Sequence, residues 1–62
     1  MITRVKFIAM WNRLHNNVKM IVLYNGQRFI ADNYDFAYPY LSIFYKGFNI
    51  NGVLLSLIKE VI

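Results

Sequence analysis

The dipeptide Asn25-Gly26 constrains the fold most strongly. It stands between two apolar runs, 18–24 and 27–31. A two-residue type I′ turn requires positive φ at both central positions, and Asn-Gly is its preferred sequence. The two runs are therefore predicted to pair as antiparallel strands of a hairpin.

A two-residue turn also predicts the register of this hairpin. Val22 is expected to lie opposite Phe29, and Lys19 opposite Asp32, where the two charges would pair. The other predicted pairs are Met20 with Ala31, Ile21 with Ile30, and Leu23 with Arg28. Both faces of this hairpin are apolar, so each face needs a cover.

The length of the chain limits what can supply that cover. A chain of 62 residues is expected to form a single domain, 1–62. A domain of this size buries only about 60% of the surface of its unfolded form. It contains no cysteine, so no disulfide can stabilise it. Its hydrophobic fraction of 58% exceeds the roughly 45–50% of ordinary soluble domains. We therefore expect a homodimer.

The segments before the hairpin predict one further strand. In residues 2–11 the apolar side chains do not gather on one face of a helical wheel, whereas alternate positions from Thr3 to Trp11 share one side of a strand. Residues 12–17 are rich in asparagine and are expected to form a turn.

After the hairpin, residues 32–39 are predicted to be a loop because of their Asp, Asn and Pro content. Residues 40–45 are predicted to form a strand, and Lys46-Gly47 a turn into a short strand, 48–50. Asn51 is a candidate N-cap for a C-terminal helix. The apolar stripe of this helix would be Val53, Leu54, Leu57, Ile58 and Val61. The predicted fold is α+β: a single small antiparallel sheet of four to five strands with one C-terminal helix packed on one face.

The hydropathy pattern disfavours a membrane span. The longest uncharged apolar stretch, 47–58, holds 12 residues, whereas a spanning helix needs about 20. The apolar run 7–11 is too short for a signal peptide. We expect an intracellular, cytoplasmic protein; on the alternative prediction of a virus-type protein given below, the cell would be an infected host cell.

Charge is distributed unevenly along the chain. Residues 1–28 contain five cations and no carboxylate, whereas residues 29–62 carry a net charge of −1, and together they give the net charge of +4. A basic half beside a nearly neutral half is typical of a surface that faces a polyanion, although such a charge can also serve solubility.

Aromatic residues adjoin several of these cations, and 18% of the chain is aromatic. Single-stranded nucleic acids are bound by this mixture, because rings stack on bases while cations contact phosphates. The predicted phosphate contacts are Arg4, Lys6, Arg13, Lys19, Arg28 and Lys46. The predicted stacking residues are Trp11, Tyr24, Tyr40 and Tyr45. The phenylalanines are more simply explained as core. This pattern predicts a homodimeric, non-enzymatic nucleic-acid-binding module.

An alternative prediction is a small protein, of the type encoded by viruses and mobile elements, that binds and inhibits a host protein. The tyrosine-rich segment 34–40 would supply its contact surface. The competing interpretation of this segment is a loop that closes the core with Phe36 and Tyr38.

Catalysis has little support in the sequence. His15 is the only histidine and lies in a predicted turn. Asp32 and Asp35 have no metal-ligand spacing, and Ser42 and Ser56 lack a nucleophile motif. No catalytic residue, metal or cofactor is predicted, and a membrane is not expected as a partner.

Overall fold

The described residues form one N-terminal helix and six strands arranged in two antiparallel sheets. The computed structural model describes residues 2–62. The elements are α1 (Arg4–Arg13), β1 (Lys19–Leu23), β2 (Arg28–Ala31), β3 (Asn33–Ala37), β4 (Tyr40–Tyr45), β5 (Phe48–Leu54), a 3₁₀ turn (Leu55–Leu57) and β6 (Ile58–Val61). One sheet has the order β2-β1-β6 and the other β3-β4-β5. The prediction of one sheet with a C-terminal helix is therefore wrong.

The hairpin of β1 and β2 is confirmed, but its predicted register is wrong by one residue. Ile21 lies opposite Phe29, and Lys19 lies opposite Ala31 instead of Asp32. The Leu23 N–H donates to the Gln27 carbonyl (2.9 Å), which leaves three residues in the loop instead of two. The shift places Phe29 on the same face as Ile21, toward the core, and turns Ile30 outward.

Asp32 marks the corner where the chain passes from one sheet to the other. Its N–H donates to the Phe44 carbonyl (3.0 Å), and its carboxylate accepts from the Lys46 N–H (3.0 Å). The loop predicted at 32–39 is wrong, because most of it forms β3. Its Asn and Asp residues occupy the exposed positions of an alternating strand, while Tyr34 and Phe36 are half-buried.

The core lies between the two sheets and is closed by α1. Its fully buried side chains come from the helix and from both sheets: Phe7, Ile21, Leu41, Ile43 and Ile58. The Phe7 ring contacts those of Tyr34 and Phe36 edge-on, with centroids 4.9 and 5.8 Å away. Aromatic packing therefore attaches the helix to β3.

The strand predicted at 2–11 is wrong, because α1 occupies most of it. Thr3 caps the helix, since its hydroxyl oxygen accepts from the Lys6 N–H (3.1 Å). The core-facing stripe is Phe7, Met10, Trp11 and Leu14. A spacing of four residues, as from Phe7 to Trp11, fits both a strand and a helix, and the stripe runs past residue 11. The predicted segment 2–11 ends before Leu14, so it leaves out the last residue of the helical stripe.

The helix predicted after Asn51 is also wrong, and a β-bulge explains the misleading pattern. Ile58 and Val61 are three residues apart, which suggests a helix, yet they lie opposite Leu23 and Ile21 in a strand. The register shifts between those two pairs. The extra residue, Lys59, lets both apolar side chains face the core.

The remaining predictions after the hairpin hold in part. The strand at 40–45 is confirmed as β4, and the chain turns at Lys46-Gly47. The short strand at 48–50 extends to residue 54. Within residues 2–62, no helix combines the length and the apolar character needed to cross a membrane.

Candidate nucleic-acid interface

Three cations and one tyrosine surround a groove beside α1. Lys6 and Arg13 lie on the helix, Lys59 on β6, and Tyr24 in the β1–β2 turn. The groove has a volume of about 450 Å³, and its other lining residues are Ile2, Ala9 and Met10. Among the residues that the structure describes, no carboxylate lines the groove.

The local fold accounts for each position. Lys6 and Arg13 are seven residues apart, so about two helical turns bring them to the same face of α1. Lys59 is the extra residue of the bulge, so its side chain does not follow the inward and outward alternation of the other side chains of β6, and it is exposed. The N–H of Tyr24 donates to the Leu57 carbonyl (3.0 Å), which fixes the turn against the end of the 3₁₀ segment.

The side chains in the groove are suited to contacts with an anion. All three cationic residues are exposed, and the Tyr24 side chain is 63% exposed. Cationic groups without a neighbouring carboxylate present a positive potential to any anion that approaches. An exposed aromatic ring beside them offers a face on which a base can stack.

Three of the ten predicted site residues line this groove: Lys6, Arg13 and Tyr24. Two others are engaged with aromatic rings elsewhere. The Arg4 guanidinium carbon lies 4.9 Å from the centre of the Phe36 ring, and Lys19 Nζ lies 4.6 Å from the centre of the Trp11 ring.

Trp11 itself lies in the core. Its side chain is 8% exposed, and its ring packs edge-on against Tyr34 at 4.8 Å. With Lys19 over the ring as well, Trp11 has little surface left for a base. Its apolar contacts identify it as a packing residue of α1.

The other predicted residues lie on separate surfaces. Arg28 is exposed on β2, and Tyr40 lines a smaller groove together with Gln27 and Leu57. Tyr45 and Lys46 contact each other at the β4–β5 turn, where Lys46 Nζ lies 5.4 Å from the ring centre. The structure therefore distributes the ten residues over several surfaces.

Sequence reasoning misses Lys59. The sequence predicts a helix over this part of the chain, which does not form, and the bulge that exposes Lys59 leaves no recognised signal in the sequence. The spacing of Lys6 and Arg13, by contrast, is visible in the sequence once residues 4–13 are taken as a helix.

The carboxylates and the histidine do not form a metal site in the described part of the chain. Among residues 2–62, no group of three or more His, Cys, Asp or Glu side chains could hold a metal ion. His15 and Asp35 are exposed, and Asp32 accepts the hydrogen bond that fixes the sheet corner.

Comparison of the chain with protein-family models, with curated proteins and with solved structures finds no match.

Proposed function

We propose that this protein is a non-enzymatic binding protein for single-stranded nucleic acid. The observation that carries the proposal is the groove beside α1, where Lys6, Arg13 and Lys59 surround an exposed Tyr24 without a carboxylate. Phosphates would contact the three cations, and one base would stack on the tyrosine ring.

The geometry favours a single strand. Lys6 and Arg13 are about 10.5 Å apart along the helix axis at 1.5 Å per residue, which suits a backbone that runs along α1. Tyr24 can stack only on a base whose face is free, and bases in a duplex are already stacked on their neighbours.

The first experiment measures the binding of a short fluorescent single-stranded oligonucleotide by anisotropy, at several salt concentrations. The variants are Lys6→Gln, Arg13→Gln and Lys59→Gln, each of which removes one charge from the groove. Each should weaken binding and reduce the slope of log affinity against log salt by about 0.7, the value for one phosphate contact in a single strand. Lys46→Gln removes one charge outside the groove and is the matched control.

The second experiment tests stacking. Replacement of an aromatic ring that stacks on a base costs about 1–3 kcal/mol, or roughly 5- to 150-fold in affinity. Tyr24→Ala should show such a loss, whereas Tyr24→Phe should retain most of the affinity. Tyr40→Ala removes another exposed tyrosine outside the groove and should have little effect.

Two results would overturn the proposal. One is undetectable binding at low salt to both DNA and RNA single strands. The other is an equal loss of affinity in Lys46→Gln and in the three groove variants, because binding would then depend on overall charge. Stronger binding to the matching duplex would contradict the preference for a single strand.

A different groove favours the second candidate function, the binding of a host protein. About 540 Å³ in volume, it is lined mainly by apolar groups, including Val5, Pro39 and Leu55. The exposed fractions of Val5 and Tyr38 at its rim are 76% and 79%. Apolar and tyrosine side chains of this kind suit a protein partner. Capture of one protein from a nuclease-treated lysate, lost in Tyr38→Ser, would support this function over the first.

A further inference from the structure

We propose that two copies of the chain associate through the outer face of the β2-β1-β6 sheet, with Arg28 of each copy paired with Glu60 of the other. The outer face is defined here as the apolar side chains that point away from the core, together with the two charged residues that flank them: Val18, Met20, Val22, Ile30, Ile62, Arg28 and Glu60. This inference does not depend on nucleic-acid binding.

One row of apolar side chains crosses all three strands of the sheet. Ile30 lies opposite Met20, and Met20 exchanges two backbone hydrogen bonds with Ile62 (2.7 and 2.9 Å). Ile30 and Ile62 are 47% and 48% exposed, and Val18 beside them is 46% exposed. Aligned apolar side chains with this exposure form a patch suited to an interface.

The next row carries the charges. Val22 lies opposite Arg28 on one side and opposite Glu60 on the other. Val22 is only 7% exposed, yet it does not belong to the core cluster that contains its neighbours Ile21 and Leu23. Because side chains alternate along a strand, Val22 faces outward between the two charged residues.

This arrangement is complementary to itself. In a two-fold dimer whose axis runs parallel to β1, β2 of one copy faces β6 of the other. Arg28 then meets Glu60 twice, once on each side of the axis. An axis across the strands would instead place β2 over β2 and bring like charges together. The charge pattern therefore selects both a second copy and one orientation.

The size of the face predicts the strength of association. Three strands about 4.8 Å apart, each contributing about four residues, offer roughly 200 Å² in projection. Interfaces that bury less than about 1,200 Å² in total are weak or transient. We therefore expect a weak, transient dimer.

The experiment is sedimentation equilibrium over a wide range of protein concentrations. Arg28→Glu and Glu60→Arg each bring like charges together at both pairs, and each should weaken dimerisation at least about ten-fold. The double variant, with Arg28→Glu and Glu60→Arg, restores opposite charges and should recover most of the affinity. Weakening in both single variants, followed by recovery in the double variant, is the decisive result. Arg28→Glu lowers the net charge of +4 by two and Glu60→Arg raises it by two, so a general effect of net charge would have opposite signs in the two single variants.

Two further variants complete the test. Lys46→Glu makes the same charge change as Arg28→Glu at a turn outside the face and should leave dimerisation unchanged. Ile30→Lys adds a charge at an exposed apolar position and should weaken it, and thermal unfolding of each variant checks that the fold is intact. A monomer at the highest concentration, or a dimer that responds to neither charge reversal, would overturn the proposal. Oligonucleotide binding by the groove is measured separately, so either proposal can fail alone.

Discussion

The backbone at Gly26 determines the shape of the β1–β2 turn. Its φ is +90°, while Asn25 stays outside the left-handed region. The Gly26 N–H donates to the Leu23 carbonyl (3.0 Å), and the Asn25 side-chain oxygen accepts from the Gln27 N–H (2.9 Å). Asn25 therefore stabilises this turn through a side-chain hydrogen bond and does not adopt the positive φ that a type I′ turn would require.

This conformation predicts that Gly26→Ala destabilises the protein. Apart from Gly26 and its two chain neighbours, no described residue has a heavy atom within 4 Å of the place where a Cβ would be, so the cost is backbone strain. A residue with a Cβ in the left-handed region costs about 1–2 kcal/mol. Urea unfolding should show a loss of this size.

Gly52 provides the matched control. A Cβ at this position would also meet open space, but the φ of Gly52 lies outside the left-handed region. Gly52→Ala should leave the free energy of unfolding unchanged or raise it, because alanine restricts the unfolded chain. Equal losses in the two variants would show that backbone conformation is not the cause.

At the scale of elements, α1 depends on its cap. Its first turn contains no acidic residue, and Arg4 and Lys6 are unfavourable beside the positive end of the helix dipole. The Thr3 hydroxyl is the side-chain acceptor at this end, and the Thr3 carbonyl accepts from the Phe7 N–H (2.9 Å).

The cap predicts a loss of about 1 kcal/mol in Thr3→Ala, the typical cost of removing a capping hydroxyl. Thr3→Ser keeps the hydroxyl and should retain most of the stability. Thermal unfolding followed by circular dichroism measures both variants. A Thr3→Ser variant as unstable as Thr3→Ala would indicate that the methyl group, and not the hydrogen bond, is what matters.

Elements whose signal is local could be predicted from the sequence. The aromatic and β-branched composition of β4 and the turn residues of the hairpin are of this kind. The helix α1 could not, because the four-residue spacing from Phe7 to Trp11 fits both a strand and a helix. The strand β6 could not, because the bulge at Lys59 gives its apolar residues a three-residue spacing that suggests a helix. Lys6, Arg13 and Tyr24 could be chosen as candidate site residues, but their convergence with Lys59 depends on tertiary contacts.

At the scale of the whole molecule, folding assembles the groove from three distant parts of the chain. Lys6 and Arg13 belong to the first helix, Tyr24 to the hairpin and Lys59 to the last strand. In the unfolded chain, Lys59 is separated from Lys6 and Arg13 by a long stretch of sequence. The native state therefore holds like charges closer together than the unfolded state does, which opposes folding.

On the proposed function, the free protein and its complex with an oligonucleotide should respond in opposite ways to ionic strength. Added salt screens the repulsion among the groove cations, so the melting temperature of the free protein should rise. The same salt should release the bound oligonucleotide. The double variant Lys6→Gln, Lys59→Gln should flatten both trends, and calorimetry of the free protein measures the first. On the proposed function, the positive charge that would attract a nucleic acid also destabilises the free protein, and a bound anion would offset this destabilisation.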